Sequence, residues 1–326
     1  MNQGSPNVGF IGAGAVGTAL AVALSRRGYL VVACASRSAA SASRLAACVP
    51  GCAALGSPQS VADAADLVFL TTPDDAIEPV AASLTWRPDQ AVVHCSGARS
   101  LDVLTAPRRQ GAVVGSFHPM QTFPEVGAAA ESLEGIAFGI EAEGGFLLET
   151  LQELAKALGG WPVVLRPQDK ALYHASAIIA CGYLLAALDQ AAHLWEAMGH
   201  GREEGLKALL PLAQATLQGA GRRGLVDALS GPLARGDVGT VQRHLEALRA
   251  QAPEVLPLYC RLGLASLPLA RAKGKLSPQR AEELQAIFDG WAGLMEASPI
   301  PPIQSETEVG FEARSRRSAS LQKRRG

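Results

Sequence analysis

Five residues of this chain have the types and spacing of proton-transfer chemistry: Ser96, His118, Lys170, Tyr173 and His174. His118 follows the apolar run Ala112-Val113-Val114-Gly115-Ser116-Phe117, and Pro119 fixes the backbone after it. An imidazole at a strand end can give a proton to a carbonyl oxygen under reduction. Ser96 closes another apolar run, Ala91-Val92-Val93-His94-Cys95, and could hydrogen-bond the same oxygen. Lys170, Tyr173, His174, Ala177 and Cys181 are three and four apart, so they share one helix face. A desolvated lysine can act as an acid or bind a carboxylate. The phenol and the second imidazole can orient a substrate or relay a proton. The structural alternatives are a histidine satisfying loop backbone, a serine capping a turn, and a helix start that is polar because it is exposed.

These residues need a partner in the chemistry, and the N-terminus suggests one. Val8-Gly9-Phe10-Ile11 leads into Gly12-Ala13-Gly14-Ala15-Val16-Gly17, and an Ala/Leu/Val helix follows. This is the strand, tight turn and helix N-terminus of a dinucleotide site. Gly12 allows the turn, Gly14 lets a pyrophosphate approach the backbone, and Gly17 lets the helix pack against the strand. The free N–H groups of that helix face the anion. A second strand, Tyr29–Ala35, ends in Ser36-Arg37-Ser38. An acidic residue there would grip a ribose 2′-hydroxyl, whereas a guanidinium flanked by hydroxyls pairs with a 2′-phosphate. NADP(H) is therefore expected rather than NAD(H). Thr72 and Pro73, at the end of the strand Asp66–Thr71, complete the expected cofactor cradle near the nicotinamide.

Composition bounds the alternatives. A net charge of −1 gives no general attraction to nucleic acid or an anionic membrane, and 5% aromatic residues offers little surface for base stacking. Cys34, Cys48, Cys52, Cys95, Cys181 and Cys260 lack C-x-x-C spacing, which suggests reduced thiols rather than a disulfide framework or a metal site. The first residues lack the basic and apolar regions of a secretory signal, so a cytoplasmic location is expected. The longest apolar stretch, Ala175–Leu188, is expected to be a buried helix, too short to span a bilayer.

Strand-like and helical runs alternate as far as about Leu165, which predicts an α/β doubly wound, mostly parallel sheet. Beyond Arg166-Pro167 only helices are expected, at Lys170–Met198, Glu203–Gln218, Leu225–Ala228, Val238–Arg249, Leu256–Arg271 and Pro278–Met295. The expected domains are 1–166 for cofactor, 167–298 for substrate and dimerisation, and 299–326 as a disordered basic tail. Apolar helices of this length favour a homodimer. The segment Ser230–Asp237 has the composition of an interhelical loop, with Asp237 as a helix cap and Arg235 free to grip a carboxylate.

Taken together, the motifs resemble the bacterial Rossmann-like oxidoreductases with a C-terminal helical domain of unknown function. The resemblance rests on the glycine turn, Ser36-Arg37-Ser38, Thr72-Pro73-Asp74-Asp75-Ala76-Ile77, His94-x-Ser96-Gly97, Ser116–Phe123, Lys170-x-x-Tyr173-His174 and Gly231-Pro232-x-x-Arg235-Gly236-Asp237-x-x-Thr240-Val241. That family is similar in architecture to pyrroline-5-carboxylate reductase, ketopantoate reductase, prephenate dehydrogenase and 6-phosphogluconate dehydrogenase. Prephenate dehydrogenases carry a His-Pro that contacts the substrate hydroxyl, which implies that role for His118. Ketopantoate and 3-hydroxyacid enzymes open the helical domain with a catalytic lysine and then an asparagine; Lys170 matches the first, and His174 stands in place of the second. The resemblance implies hydride transfer between NADP(H) and a small 2-oxo or 2-hydroxy acid, ketopantoate-like, or an imine. The competing expectation is an NADP(H)-binding sensor without catalysis. Convergence of His118 with the Lys170 helix face separates the two.

Overall fold

The computed structural model describes residues 6–123 and 133–293. The expected tail at 299–326 lies outside them. The chain divides into two compact units, Met1–Tyr183 and Leu184–Gly326. The first runs β1 (Val8–Ile11), α1 (Ala15–Arg26), β2 (Val31–Ala35), α2 (Ala39–Cys48), β3 (Ala53–Ala54), α3 (Pro58–Ala64), β4 (Leu67–Leu70), α4 (Asp74–Ala82) and β5 (Ala91–His94). It continues through a 3-10 turn at Leu101–Leu104 to α5 (Thr105–Arg109), β6 (Val113–Pro119), β7 (Ala137–Ala142), α6 (Gly145–Ala157), β8 (Trp161–Val164) and α7 (Lys170–Ala180).

The eight strands form one sheet in the order β3-β2-β1-β4-β5-β6-β7-β8. Every pairing is parallel except β6 with β7. This is the doubly wound, mostly parallel sheet expected from the alternation, with the reversal of strand order between β1 and β4. Period-two alternation sorts the side chains of β6 and β7 onto two faces. Phe117 and Ile140 join the apolar face with Phe10, Phe69 and Phe138. The rings of Phe10 and Phe69 stack at 5.2 Å and those of Phe117 and Phe138 at 4.7 Å, so one aromatic row ties four strands together. α6 covers this row with Leu147, Leu151 and Leu154. Ser116, His118, Gly139 and Glu141 fall on the opposite face, paired Ser116 to Glu141 and His118 to Gly139.

Three local expectations are corrected. β6 does not stop at Phe117 but runs to Pro119, because β7 turns antiparallel and pairs with the extension. β3 and α3 were not foreseen; β3 is two residues long, and α3 is announced only by its Ser57 cap and Pro58 at the first turn. The expected continuous helix from Lys170 breaks at Cys181, where α8 (Gly182–Ala197) begins.

In the second unit α8 is followed by α9 (Arg202–Ala228), α10 (Pro232–Arg235), α11 (Val238–Gln251), α12 (Leu256–Ala272) and α13 (Pro278–Gly293). α9 is interrupted at Gly224, whose φ of +78° only glycine adopts readily. Val241, Leu245, Cys260, Leu267, Leu284 and Phe288 form the core of this unit. Gly263 admits the Phe288 ring, which a Cβ there would meet at 2.5 Å. The Ser230–Asp237 segment folds as a short helix closed by left-handed Gly236, and Asp237 caps α11 by accepting the Thr240 N–H at 3.0 Å. Arg235 is exposed.

The expected burial of Ala175–Leu188 is also corrected. Ile179, Tyr183 and Leu185 are 62, 63 and 67% exposed. The helical stretch Pro167–Ala197 is long and apolar enough to cross a membrane by length and composition, and its apolar window is not buried. An Ala/Leu-rich composition satisfies helix propensity as well as burial, so it does not distinguish a core helix from one left open.

Candidate active site

The glycine turn is built as the spacing predicts. Gly12 has φ +114°, and a Cβ there would lie 2.6 Å from the Thr71 carbonyl. At Gly17 a Cβ would come within 2.3 Å of the Gly12 oxygen, so helix and strand pack too closely for any side chain. Thr71 locks the same crossing by donating its hydroxyl to the Gly12 carbonyl at 2.6 Å. Gly14 differs from both: nothing lies within 4 Å of the place its Cβ would take. α1 starts there with no capping side chain and no acid in its first turn, so its first amides are free to meet an anion. Arg37 is exposed beyond the end of β2, with Ser36 half-buried before it. Ser38 is engaged as the cap of α2, accepting the Ser41 N–H at 3.3 Å. The Thr72 hydroxyl is buried and has no hydrogen-bond partner among the described residues.

A polar layer occupies the other face of β5, β6 and β7, beneath α7. Its outer part is the pair His118 and Tyr173: His118 Nδ1 lies 3.0 Å from the Tyr173 hydroxyl. The same hydroxyl is 3.4 Å from the His118 carbonyl. Gly139 makes this contact possible, since a Cβ on it would stand 2.6 Å from the Tyr173 ring. Gly97 does the same for both histidines: a Cβ there would be 2.7 Å from His174 Nδ1 and 2.8 Å from His118 Nε2. His174 Nδ1 is buried without a partner among the described residues. Burial pushes His118 down to about 4, with His174 and Lys170 adding to the effect. Tyr173 is pushed up to about 12, mainly by burial. Near neutrality the pair is an uncharged imidazole bonded to an uncharged phenol.

The inner part of the layer is buried, and two of its atoms, Glu141 Oε2 and His94 Nε2, have no hydrogen-bond partner among the described residues. Lys170 is 1% exposed, donates to Ser116 Oγ, and lies 3.8 Å from Glu141 Oε2. Burial lowers its affinity for a proton to a value of about 8, against the attraction of Glu141. Glu141 is raised, chiefly by burial. His94 is buried beside them; it accepts the Ser96 N–H at 3.2 Å on Nδ1, and burial pushes it down to about 3.

The expected convergence of His118 with the Lys170 face occurs, with the roles divided. Tyr173 and His174 reach His118, whereas Lys170 turns inward to Ser116 and Glu141. Ser96 is occupied: it donates to Asp74 Oδ2 at 2.7 Å and accepts the Ala98 and Arg99 N–H groups at 3.2 and 3.0 Å, so it shapes the turn that carries Gly97. Ser116, Glu141, Asp74 and the two close-packing glycines were missed as site residues. Two signals were available in the sequence. Ser116 and His118 are two apart on a strand, and Glu141 is a lone charge in the apolar run Ala137-Phe138-Gly139-Ile140.

Comparison with known proteins now bears on this geometry. Residues 1–119 match a Rossmann-like domain, and residues 136–266 match a domain of unknown function, DUF2520. The chain joins a Rossmann-like domain to a DUF2520 domain. No curated protein matches its sequence. Among solved structures it is similar to a Thermotoga maritima protein, at 21% identity and a TM-score of 0.62 over 88% of this chain and 98% of that one. A pyrroline-5-carboxylate reductase from Coxiella burnetii shares 16% identity at a TM-score of 0.56, over 86% and 99% of the two chains. A reductive aminase from Aspergillus terreus, solved with NADPH and ethyl-5-oxohexanoate, shares 18% identity at a TM-score of 0.52, over 90% and 95%. These likenesses establish the fold that this chain shares with them.

Proposed function

We propose that this chain is an NADP(H)-dependent oxidoreductase that reduces a C=O or C=N bond of a small molecule, a 2-oxo acid or an imine. The carrying observation is the His118–Tyr173 pair, 3.0 Å apart, at the carboxyl end of β6, the same end of the parallel strands at which the open glycine turn follows β1. The reductase and the reductive aminase named above share that fold, and the aminase was solved with NADPH. The turn fits the cofactor: Gly14 leaves space over the uncapped start of α1, Arg37 and Ser36 stand where a 2′-phosphate would be read, and Thr72 offers a buried, unpartnered hydroxyl. Ala13, Ala15 and Val16 complete the backbone cradle, with Pro73 beside Thr72.

When bound, NADPH supplies the hydride. The chain's own residues supply the proton. If the Tyr173 hydroxyl donates across its shorter contact, to Nδ1, the neutral imidazole carries its proton on Nε2, the nitrogen against Gly97. Nε2–H then donates to the oxygen or nitrogen being reduced, Nδ1 takes the proton of Tyr173 as the first leaves, and the resulting phenolate, on a half-buried ring, is reprotonated from solvent. Among the described residues Nε2 has no partner of its own, so it is free for this contact. Lys170 acts from behind, holding Ser116 and the strand that presents His118. His174 borders the space where the rest of the substrate would lie. A cytoplasmic homodimer completes the reading, with the exposed Leu212, Leu217 and Leu225 of α9 as the surface to be shared.

Fluorescence titration of the full chain with NADPH and NADH, beside Arg37→Ala, tests the reading. Charge-assisted bonds to a phosphate are each worth about 1.5–3 kcal/mol. Arg37→Ala should therefore weaken NADPH about ten- to a hundredfold and leave NADH unchanged. Absence of binding by either nucleotide would sink the oxidoreductase reading.

A further inference from the structure

The reductase reading leaves open what holds the remainder of the substrate, and the first unit contains a cavity bearing on this. It has a volume of about 420 Å³ and is lined by Ala98, Ala171, His174, Ala175, Ile178, Ile179 and Tyr183. A volume of that order suits a small ligand. The cavity adjoins the proton donor: His174 is one of its walls, and Gly97, the neighbour of Ala98, lies against both His174 Nδ1 and His118 Nε2. The rings of His118 and His174 meet edge-on at 6.1 Å.

The lining contains no lysine, arginine, aspartate or glutamate among the described residues. The cation that sequence placed here for a carboxylate, Lys170, is buried and engaged by Ser116 and Glu141. Arg99, next to Ala98, faces Glu78 at 3.9 Å. A carboxylate in this open cavity would find no cation to pair with and would gain nothing over water. An uncharged apolar group would instead cover Ile178, Ile179 and Tyr183, the last two of which are otherwise mostly exposed.

We infer that the cavity beside His174 is the subsite for an uncharged, apolar substituent, so that the substrate is an apolar ketone or the imine made from it, and not a 2-oxo acid. This rests on the reductase reading. The reaction balances in the usual way: hydride adds to the carbonyl or imine carbon, the π bond breaks, a proton reaches oxygen or nitrogen, and NADPH leaves oxidised.

The test compares NADPH oxidation by the full chain with cyclohexanone, cyclohexanone plus methylamine, and 2-oxohexanoate. Ala175→Lys is run beside the wild type, with a urea melt to check its stability; Ala175 lines the cavity and is exposed. Wild type should favour the ketone or imine over the acid by roughly tenfold or more in kcat/KM. Ala175→Lys should reverse that order through KM, with NADPH affinity unchanged. Three results would overturn the subsite: preference for 2-oxohexanoate, NADPH binding without turnover of either apolar substrate, or a substitution that leaves the ratio untouched. Dissociation of an oligomer by Ala175→Lys in sedimentation would also overturn it, assigning the face to a second copy of the chain. Failure to bind NADPH would instead remove the reading on which the inference rests.

Discussion

The glycine turn and the layer beneath α7 lie in one unit of one sheet, and they treat polar groups in opposite ways. At the turn, side chains are deleted. Gly12 and Gly17 permit a crossing that Thr71 locks, and Gly14 stands before space, with helix amides unclaimed. Under α7 most polar groups engage one another, Lys170 with Ser116 and Glu141 and Ser96 with Asp74 and two amides, while Glu141 Oε2 and His94 Nε2 stay buried without a hydrogen-bond partner among the described residues. An open set of donors binds something else; a closed set holds the fold. The His118–Tyr173 pair lies between these extremes, with Nδ1 claimed by the phenol and Nε2 left over. Function in this chain is therefore sought where the internal accounting of donors stops short, and two substitutions separate the two behaviours.

Glu141→Ala gives the largest expected effect. Removing one partner of a buried ion pair leaves an uncompensated charge, at a cost of about 3–5 kcal/mol. A urea melt should show a lower midpoint at constant slope, with NADPH affinity per folded molecule unchanged. Replacing both partners, as Glu141→Leu with Lys170→Met, should recover most of that loss, because an apolar pair of similar size avoids the desolvation. A loss no larger than a surface substitution would mean that Lys170 is not held by Glu141 in solution. Gly14→Val is the converse. Its Cβ meets nothing, and valine is a poorer cap for α1 than glycine, so the melt should fall by about 1 kcal/mol, well short of the Glu141→Ala loss. NADPH affinity should fall about a hundredfold or more, roughly 2.7 kcal/mol, since the side chain fills the approach to the α1 amides. Unchanged binding in Gly14→Val would show that the open turn is not the cofactor cradle.

The sequence made the glycine turn legible because its chemistry is local. A turn, an uncapped helix and a strand-end arginine are all set within thirty residues, and each has a signature in residue type. The layer beneath α7 was legible only in part. The helix spacing placed Lys170, Tyr173 and His174 on one face, and the His118-Pro119 step marked a strand edge. The partners were hidden because β7 pairs antiparallel with β6, and that pairing brings Glu141 opposite Ser116 and Gly139 opposite His118. No local pattern carries a register between segments more than twenty residues apart. A like limit explains Ala175–Leu188: its apolar composition was visible, but whether the fold buries it was not, and its large side chains are exposed. Conversely, the loop chemistry of Ser230–Asp237 was local and legible: its glycine, proline and aspartate go to caps and a left-handed turn, as their types suggest.

The smallest expected effect is the absence of a pH response. A histidine that gave its proton as imidazolium would lose activity about tenfold per unit as pH rose past its ordinary value near 6.5. Here burial holds His118 at about 4 and Tyr173 at about 12, so neither changes charge between these values. The protonated imidazole gains population only as pH falls towards 4, and the tyrosinate only as it rises towards 12. Between about pH 5.5 and 7, kcat for whichever carbonyl substrate is turned over should therefore stay within about twofold. Tyr173→Phe sharpens the point. It removes the donor at Nδ1 while leaving the ring against Gly139, so Nε2 no longer keeps the proton by preference. kcat should fall about fivefold with KM little changed, because the lost bond, worth about 1 kcal/mol, acts on the proton and not on substrate binding. Nitrogen-15 shifts of the His118 ring would report the same change directly, moving from one dominant tautomer in the wild type towards a mixture in the variant. A steep alkaline loss of kcat in the wild type, with tautomer signals that Tyr173→Phe does not alter, would show that the phenol does not set the proton on His118.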